Sequence, residues 1–448
     1  MMSMTDYPKV LVVSSCAFNK VTGCGVTINT LFQGWPKERI ATATNDPVPV
    51  TYDVCSNYYF LTDSELKRKF PFNILRKTKN VNTSEKTVEA ATMRQRVISS
   101  VKRAIINRIN VPESGVLSLK LEQWINVFKP DLLYSVSGGL GYIELVTKIT
   151  ERFDIPLVMH FMDDGVTDTY RDGLLKDIPM RNYNAGFIRL LAKSAHRLAI
   201  CKEMADVYEK RFGNSFDYFQ STVDVAGISK NFKVKINEKE HIRVVYGGSI
   251  LPFAQLQSLQ DCCKAVVELS DEGYSISLHI YSPIDLFRES IKKLFTDHEA
   301  VSIHDAVVGD GFLSVLNEAD ILLLPVNFDK KSTDFIKLSM PTKVPFYLAI
   351  GTPVLVYGPP FVAQVMYARD EKWGYVVSQK GVQHIKNALT ELINNAELRN
   401  TLSQKAREIA LKNHSDSEVR LRFQKLIKDC AAGILRCNDS YTKLHSFD

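Results

Sequence analysis

The sequence predicts an α/β protein made of two doubly wound parallel-sheet domains facing each other across a cleft. Three observations predict it. Short, uniformly apolar runs of strand length recur with helical patterns between them, as in parallel sheets covered on both faces. These runs fall into two sets separated by a polar stretch. And 448 residues are more than one hydrophobic core organises, so two domains are expected.

Taken in order, the first set of strands is Val10–Ser14, Leu132–Val136, Leu157–Phe161 and Leu198–Cys201. The second is Val244–Tyr246, Ile276–Tyr281, Val301–His304, Ile321–Pro325, Val354–Tyr357 and Gly374–Val377. The first domain is assigned to 1–225, with a basic insertion at about 62–112. A polar linker rich in lysine follows at 226–241, then the second domain at 242–414. The segment 415–448 carries helical spacing at Val419, Phe423, Leu426, Ile427 and Cys430, and is expected to form a last helix crossing back to the first domain. Internal repeats and low-complexity tracts are absent, which argues against a solenoid.

Composition narrows the function classes. Hydrophobic residues make up 45% and charged residues 24% of the chain, the balance of an ordinary globular protein. No apolar run reaches the roughly 18 residues of a membrane-spanning helix. The N-terminus runs directly into the first strand without a basic region and apolar stretch, so no signal peptide is expected. The eight cysteines include no Cys-x-x-Cys pair, which argues against structural zinc and for reduced, buried thiols in the cytoplasm. The net charge of +6 is unevenly placed: Leu66–Ile109 carries twelve Lys and Arg against Glu85 and Glu89. Within it, Arg94, Lys102, Arg103 and Arg108 alternate with Val97, Ile98, Val101 and Ile105. That is a basic amphipathic helix, read either as a solvated face or as a membrane-facing surface for anionic lipid. No recognition motif or aromatic interleaving points to nucleic acid.

The chemical candidates sit after strands. Ser339–Tyr357 reads as a loop, a helix from near Lys343 to Ile350, a turn at Gly351 and a strand. A lysine beside a helix start, where amides are unpaired, suits a phosphate. Lys337 lies in the preceding loop. After the first strand, Gly23 and Gly25 open a helix and permit close backbone approach to an anion. The spacing is not Gly-x-Gly-x-x-Gly, since residue 28 is Ile, which disfavours a dinucleotide-dependent dehydrogenase. Gly248 and Ser249 follow the strand opening the second domain and offer an amide and a hydroxyl. His160, Asp163 and Asp164 end the Leu157–Phe161 strand. His160 suits a hydrogen bond to a sugar, and either aspartate suits a sugar hydroxyl or an acceptor proton. A half-buried histidine and a helix-capping aspartate are the structural alternatives. No Asp-x-Asp pattern follows a strand, so no metal site is expected.

The string Pro341-Thr342-Lys343, Tyr347-Leu348-Ala349, Gly351-Thr352-Pro353-Val354 resembles the donor segment of GT-B glycosyltransferases of the family 4 kind. The resemblance implies two Rossmann-like domains and transfer of a sugar from a nucleotide-diphosphate sugar to a glycan or lipid-linked acceptor. It also implies retention of configuration, no metal and no cofactor beyond the co-substrate. Pro341, Thr342, Lys343 and Tyr347 would line the donor, with Gly23 and Gly25 near its phosphates. A histidine at the place of His160 lines the sugar site in similar enzymes, so His160, Asp163 and Lys343 are the expected catalytic residues. The chain departs from the family pattern at two places. The Glu-x7-Glu carboxylates are replaced by Leu338 and Phe346, leaving Asp334 as the closest substitute in the sequence. The cations expected after the strand at Arg243 are replaced by Ser249 and Phe253-Ala254-Gln255. Surface polysaccharide synthesis is the implied setting, in the cytoplasm or peripheral on the inner membrane face. A catalytically inactive glycan-binding or assembly module and a nucleotide-sugar epimerase are the alternatives.

Overall fold

The computed structural model describes residues 7–68, 113–136, 138–165, 177–231, 241–282, 295 and 297–435. The membrane-facing candidates Arg94, Lys102, Arg103 and Arg108 lie outside the described residues.

The first sheet uses β1 (Val10–Val13), β2 (Ile40–Thr44) and β3 (Asn57–Phe60). The ribbon strands β4 (Leu66–Arg68) and β5 (Glu113–Gly115) come next in the chain. The sheet then continues with β6 (Leu132–Val136), β7 (Leu157–Phe161), β8 (His196–Ala199) and β9 (Asp217–Tyr218). Its order is β3-β2-β1-β6-β7-β8-β9, parallel throughout. The second sheet uses β10 (Ile242–Gly247), β11 (Ile276–Ser282), β12 (Val301–Asp305), β13 (Ile321–Pro325), β14 (Val354–Tyr357) and β15 (Tyr375–Val377). Its order is β12-β11-β10-β13-β14-β15, again parallel. Every residue of β1, β6, β7, β13 and β14 is buried. Their Val, Leu and Ile runs fit strands with helices on both faces. In each sheet the order reverses between two central strands, β1/β6 and β10/β13, and such switch points open a crevice at the strands' carboxyl ends.

Strands β2 and β3 were not evident from the sequence. Ile40-Ala-Thr-Ala-Thr44 is not a uniformly apolar run, yet Thr42 and Thr44 are fully buried and the Thr42 hydroxyl donates to Cys55 Sγ at 3.3 Å. The stretch read as a linker begins with the helix Val225–Asn231, which buries Val225 and Ile228. Asp224 holds its start by accepting from the Gly227 amide at 2.8 Å. Of the lysines that made this stretch look irregular, Lys230 sits in the last turn of this helix; residues 232–240 lie outside the described residues.

Two chain passages join the units side by side. Val223 pairs in parallel with Ser415, its amide donating to His414 O at 3.0 Å and its carbonyl accepting from the Asp416 amide at 3.1 Å. Beyond this bridge the helix Asp416–Ala431 returns to the first unit and packs on the helix Gly23–Phe32. Arg420 Nε donates to Thr30 O at 2.9 Å, and Gln424 Nε2 to Gln33 O at 3.0 Å. Phe423 sits edge-on among Phe32, Tyr134 and Phe219, at 5.0, 6.0 and 5.4 Å.

Strands β4 and β5 form a closed neck. The two strands pair antiparallel, Leu66 opposite Gly115. Buried Glu65 accepts from Tyr59 Oη (3.0 Å), Ser118 Oγ (2.5 Å) and the Thr62 amide (2.8 Å). These donors hold its carboxyl below the usual glutamate range against the opposing effect of burial.

Phe423→Ala removes an aromatic ring that three others surround. A loss of about 3–5 kcal/mol in urea unfolding is expected, together with lower cooperativity as the two units uncouple.

Candidate functional site

The loop from β13 to the helix Val344–Ile350 is held rigidly. Asn327 is buried; its Nδ2 donates to Pro252 O (3.0 Å) and Ser332 Oγ (3.2 Å), and its Oδ1 accepts from the Ser258 amide at 3.0 Å. Asp329 caps the helix Lys330–Ile336 by accepting from the Ser332 amide at 3.0 Å. Lys343 is the residue before the next helix, which ends at Gly351 as the sequence predicts. That helix has seven residues, Pro345 has no N–H, and the Val344 amide donates to Pro341 O at 3.1 Å. Its start therefore offers fewer free amides than the sequence reading assumed, and Lys343 is the charged group that remains there.

Lys343 is partly buried. Its Nζ donates to Gly247 O at 3.2 Å and lies 4.0 Å from the centre of the Tyr246 ring. Burial lowers its pKa to about 7, with no carboxylate among the causes. Gly248 makes room for it: an added Cβ would lie 3.1 Å from Nζ, and φ of +143° disfavours any side chain there.

The turn carrying Gly248 offers less than expected. The Gly248 amide donates to Tyr281 O at 2.9 Å and the Gly247 amide to Tyr347 Oη at 3.2 Å, so neither is left for a ligand. Ser249 is exposed, and its carbonyl accepts from Tyr246 Oη at 2.6 Å. Tyr347 is completely buried and its hydroxyl also donates to Gly247 O at 3.3 Å. The structure thus makes Tyr347 a brace for the turn, where the resemblance had it lining the donor. Lys337 is exposed, with its ammonium 6.0 Å from the centre of the Phe361 ring.

The first unit brings its carboxyl edge against the same loop. Thr22 caps the helix Gly23–Phe32 by accepting from the Gly25 amide at 3.3 Å. A Cβ on Gly23 would stand 3.4 Å from Thr342 Cγ2. Gly25 has a different reason to be glycine: a Cβ there would be 2.3 Å from Asn19 Nδ2. Asn19 is buried and organises the loop, accepting from the Val21 and Thr22 amides at 2.9 and 2.7 Å and donating to Ala17 O at 3.1 Å. Cys16 and Cys24 are joined by a disulfide across this loop, which corrects the expectation of reduced thiols throughout. Farther along the edge, Ser339 Oγ donates to Asp163 Oδ1 at 2.8 Å, and Cys201 Sγ approaches Leu338 O at 3.5 Å. Asp163 keeps solvent access. Desolvation by the crowded edge, with Asp164 adding to it, raises its carboxyl above the usual aspartate range despite the Ser339 hydrogen bond.

Other sequence candidates separate from this edge. His160 is fully buried, on β7 beside β6, with Nδ1 2.5 Å from Tyr134 Oη. Nε2 approaches the backbone of Phe219 and Ala199 without a hydrogen bond of normal geometry. Burial lowers its pKa to about 4. It is a core histidine in this structure, enclosed by Tyr134 and the neighbouring backbone where the resemblance had it lining the sugar site. Asp164 is also buried and accepts from Tyr208 Oη at 3.0 Å and Arg211 at 3.4 Å, a structural role. At the two positions expected to be glutamate, Leu338 is buried and Phe346 packs against Phe312 with centroids 6.2 Å apart. Asp334 pairs with Lys330 at 2.8 Å. Three contributors escaped the sequence reading: Asn19, Ser339 as the partner of Asp163, and Tyr246. Only Tyr246 left a visible signal, a lone aromatic ending a strand just before Gly247-Gly248.

No family model matches the chain, and no curated protein matches it. Solved structures do. Sucrose-phosphate synthase from Thermosynechococcus elongatus superposes with a TM-score of 0.61 at 11% identity, covering 95% of this chain and 100% of that one. The E. coli trehalose-6-phosphate protein bound with UDP-2-fluoro glucose gives 0.58 at 10% identity, covering 94% and 98%. A putative UDP-N-acetylglucosamine 2-epimerase from Listeria monocytogenes gives 0.50 at 11% identity, covering 94% and 96%. At these identities the likeness establishes the fold, which is the two-domain GT-B arrangement expected from the sequence.

Two fully buried histidines set an acid limit on stability. His160 and His414 each have a pKa near 4 because burial disfavours the charged ring. The unfolded chain binds their protons near pH 6.5, so stability is lost as pH falls from about 6.5 to 4. Each should cost about 2 kcal/mol at pH 5 relative to pH 7.5. Urea unfolding across this range checks it, and His160→Gln should flatten the profile.

Proposed function

We propose that the protein transfers a sugar from a nucleoside-diphosphate sugar to an acceptor hydroxyl. One observation carries the reading: a partly buried lysine ammonium, with no carboxylate partner among the described residues, beside the edge where Gly23 approaches Thr342. A desolvated cation without a counter-charge is costly, and groups perturbed in this way are candidates for functional sites. The anion is a diphosphate in this reading. As the bond to the sugar breaks, charge grows on the departing diphosphate, and Lys343 stabilises it by electrostatic preorganisation. The UDP-sugar analogue bound by the E. coli relative in fold supports the donor class.

Asp163 is the proposed partner on the acceptor side. Its hydrogen bond to Ser339 brings a first-unit carboxylate to the residue after Leu338, in a loop whose own expected acids are missing. A solvent-accessible carboxylate at this edge suits transfer of the acceptor's proton. We further propose, from the family resemblance, that transfer retains configuration without a metal. The acceptor is a glycan or lipid-linked glycan of a surface polysaccharide, with the basic segment meeting an anionic membrane. Among the described residues no helix is long and apolar enough to cross a membrane.

Two alternatives have specific support. Leu338 and Phe346 favour a module that binds the nucleotide sugar and does not turn it over. The likeness to the putative epimerase favours conversion of the free nucleotide sugar. Incubation with a panel of UDP-, GDP- and CMP-sugars separates them: nucleotide release that needs an acceptor marks transfer. A changed sugar without acceptor marks the epimerase, and binding without chemistry the module.

Binding of UDP should pull a proton onto Lys343. Calorimetry at pH 8.5 in two buffers of different ionisation enthalpy should show uptake of up to one proton, and affinity should weaken up to tenfold per pH unit above 7. Lys343→Met should bind at least about tenfold more weakly with no uptake; equal heats in both buffers for the wild type would remove the lysine from the site.

Asp163→Asn retains the contact to Ser339 and removes the base. A fall of about 10²–10⁴ in kcat with little change in donor KM is expected from initial rates. Unchanged turnover would exclude Asp163 from the chemistry.

A further inference from the structure

We propose that Tyr246 is a positioning residue: its ring face holds the Lys343 ammonium in the ligand-free protein and presents it to an incoming phosphate. The inference rests on the phosphate-side reading of Lys343. It goes beyond that reading by naming what keeps the lysine in place while no anion is bound.

Four contacts carry it. The Tyr246 ring lies 4.0 Å from Nζ, and the Tyr347 ring lies 5.8 Å away. An ammonium has three donors, and among the described residues Gly247 O is its hydrogen-bond acceptor. Donors are therefore left for a ligand, while the ring supplies attraction that requires no hydrogen bond. Tyr246 cannot swing aside, because it is fully buried and its hydroxyl is fixed to Ser249 O at 2.6 Å. Gly248 leaves just enough room for Nζ beside the ring.

This arrangement is suited to release. A carboxylate partner would neutralise the lysine and compete with a phosphate for it. A ring face attracts the cation without adding a negative charge that a diphosphate would have to displace. The titratable groups facing Nζ are the phenols of Tyr246 and Tyr347. Burial raises both far above the usual phenol range, so they stay neutral.

The test alters the ring's electrostatics and keeps its shape. Tyr246→Phe is compared with phenylalanine analogues of increasing ring fluorination at position 246. Lys343 protonation is followed by NMR of ¹³C-lysine, its signal identified by Lys343→Met. Tyr246→Phe should leave the midpoint in place. Fluorination should lower it stepwise, by about one pH unit in total, and weaken pyrophosphate binding at pH 8 by up to about tenfold. A flat series would overturn the proposal, as would Tyr246→Phe shifting as far as the fluorinated variants. The midpoint is read without nucleotide. A graded midpoint series among the variants, with a wild type that binds neither pyrophosphate nor UDP, would refute the phosphate reading and leave the Tyr246 contact established.

Discussion

The bridge between Val223 and Ser415 is the constraint on which the rest of the site depends. The chain crosses between units at these two places, and main-chain hydrogen bonds lock the crossings together. The helix Asp416–Ala431 then ties the second crossing to the first unit through Phe423, Arg420 and Gln424. With both crossings fixed, the carboxyl edges of the two sheets meet. The contacts of Gly23 with Thr342, Asp163 with Ser339 and Cys201 with Leu338 all follow from that placement. None could be set by either unit alone.

At the meeting edge the two units contribute different groups. The second supplies a cation and the packing that holds it. The first supplies a carboxylate and a loop braced by buried Asn19. The apolar residues at 338 and 346 are well packed where they stand, so the second unit is complete as a fold without local acids. A carboxylate reaching in from the opposite side would act only while the units are in contact. Domain closure and chemistry would then be linked through the hydrogen bond between Asp163 and Ser339.

Much of the fold was legible because parallel strands buried on both faces leave long apolar runs. The strands β6, β7, β13 and β14 were readable to the residue. Strands β2 and β3 were not, since buried threonines and an edge strand break that pattern. In the site, Lys343 and the Gly351 helix end were legible from local rules. The burial of His160 was not: its strand position suits the cleft edge, and only the packing of Tyr134 and the neighbouring backbone places it in the core. Tyr347 misled for a similar reason, because sequence shows a hydroxyl but not which way it faces. Asp163 is the reverse case, a residue whose partner comes from 176 positions away and which no local pattern could join to Ser339.

The neck at β4 and β5 has a separate consequence, for how such a chain changes over generations. The strands on either side of residues 69–112 pair with each other, and Glu65 is held there by Tyr59, Thr62 and Ser118. Doubling the length of such an excursion costs only about 0.6 kcal/mol in closure entropy. The excursion can therefore lengthen, shorten or change its composition while the sheets keep their register. In this protein the most basic part of the sequence falls between these two paired strands, so surface preference can change while the register of the sheets is kept.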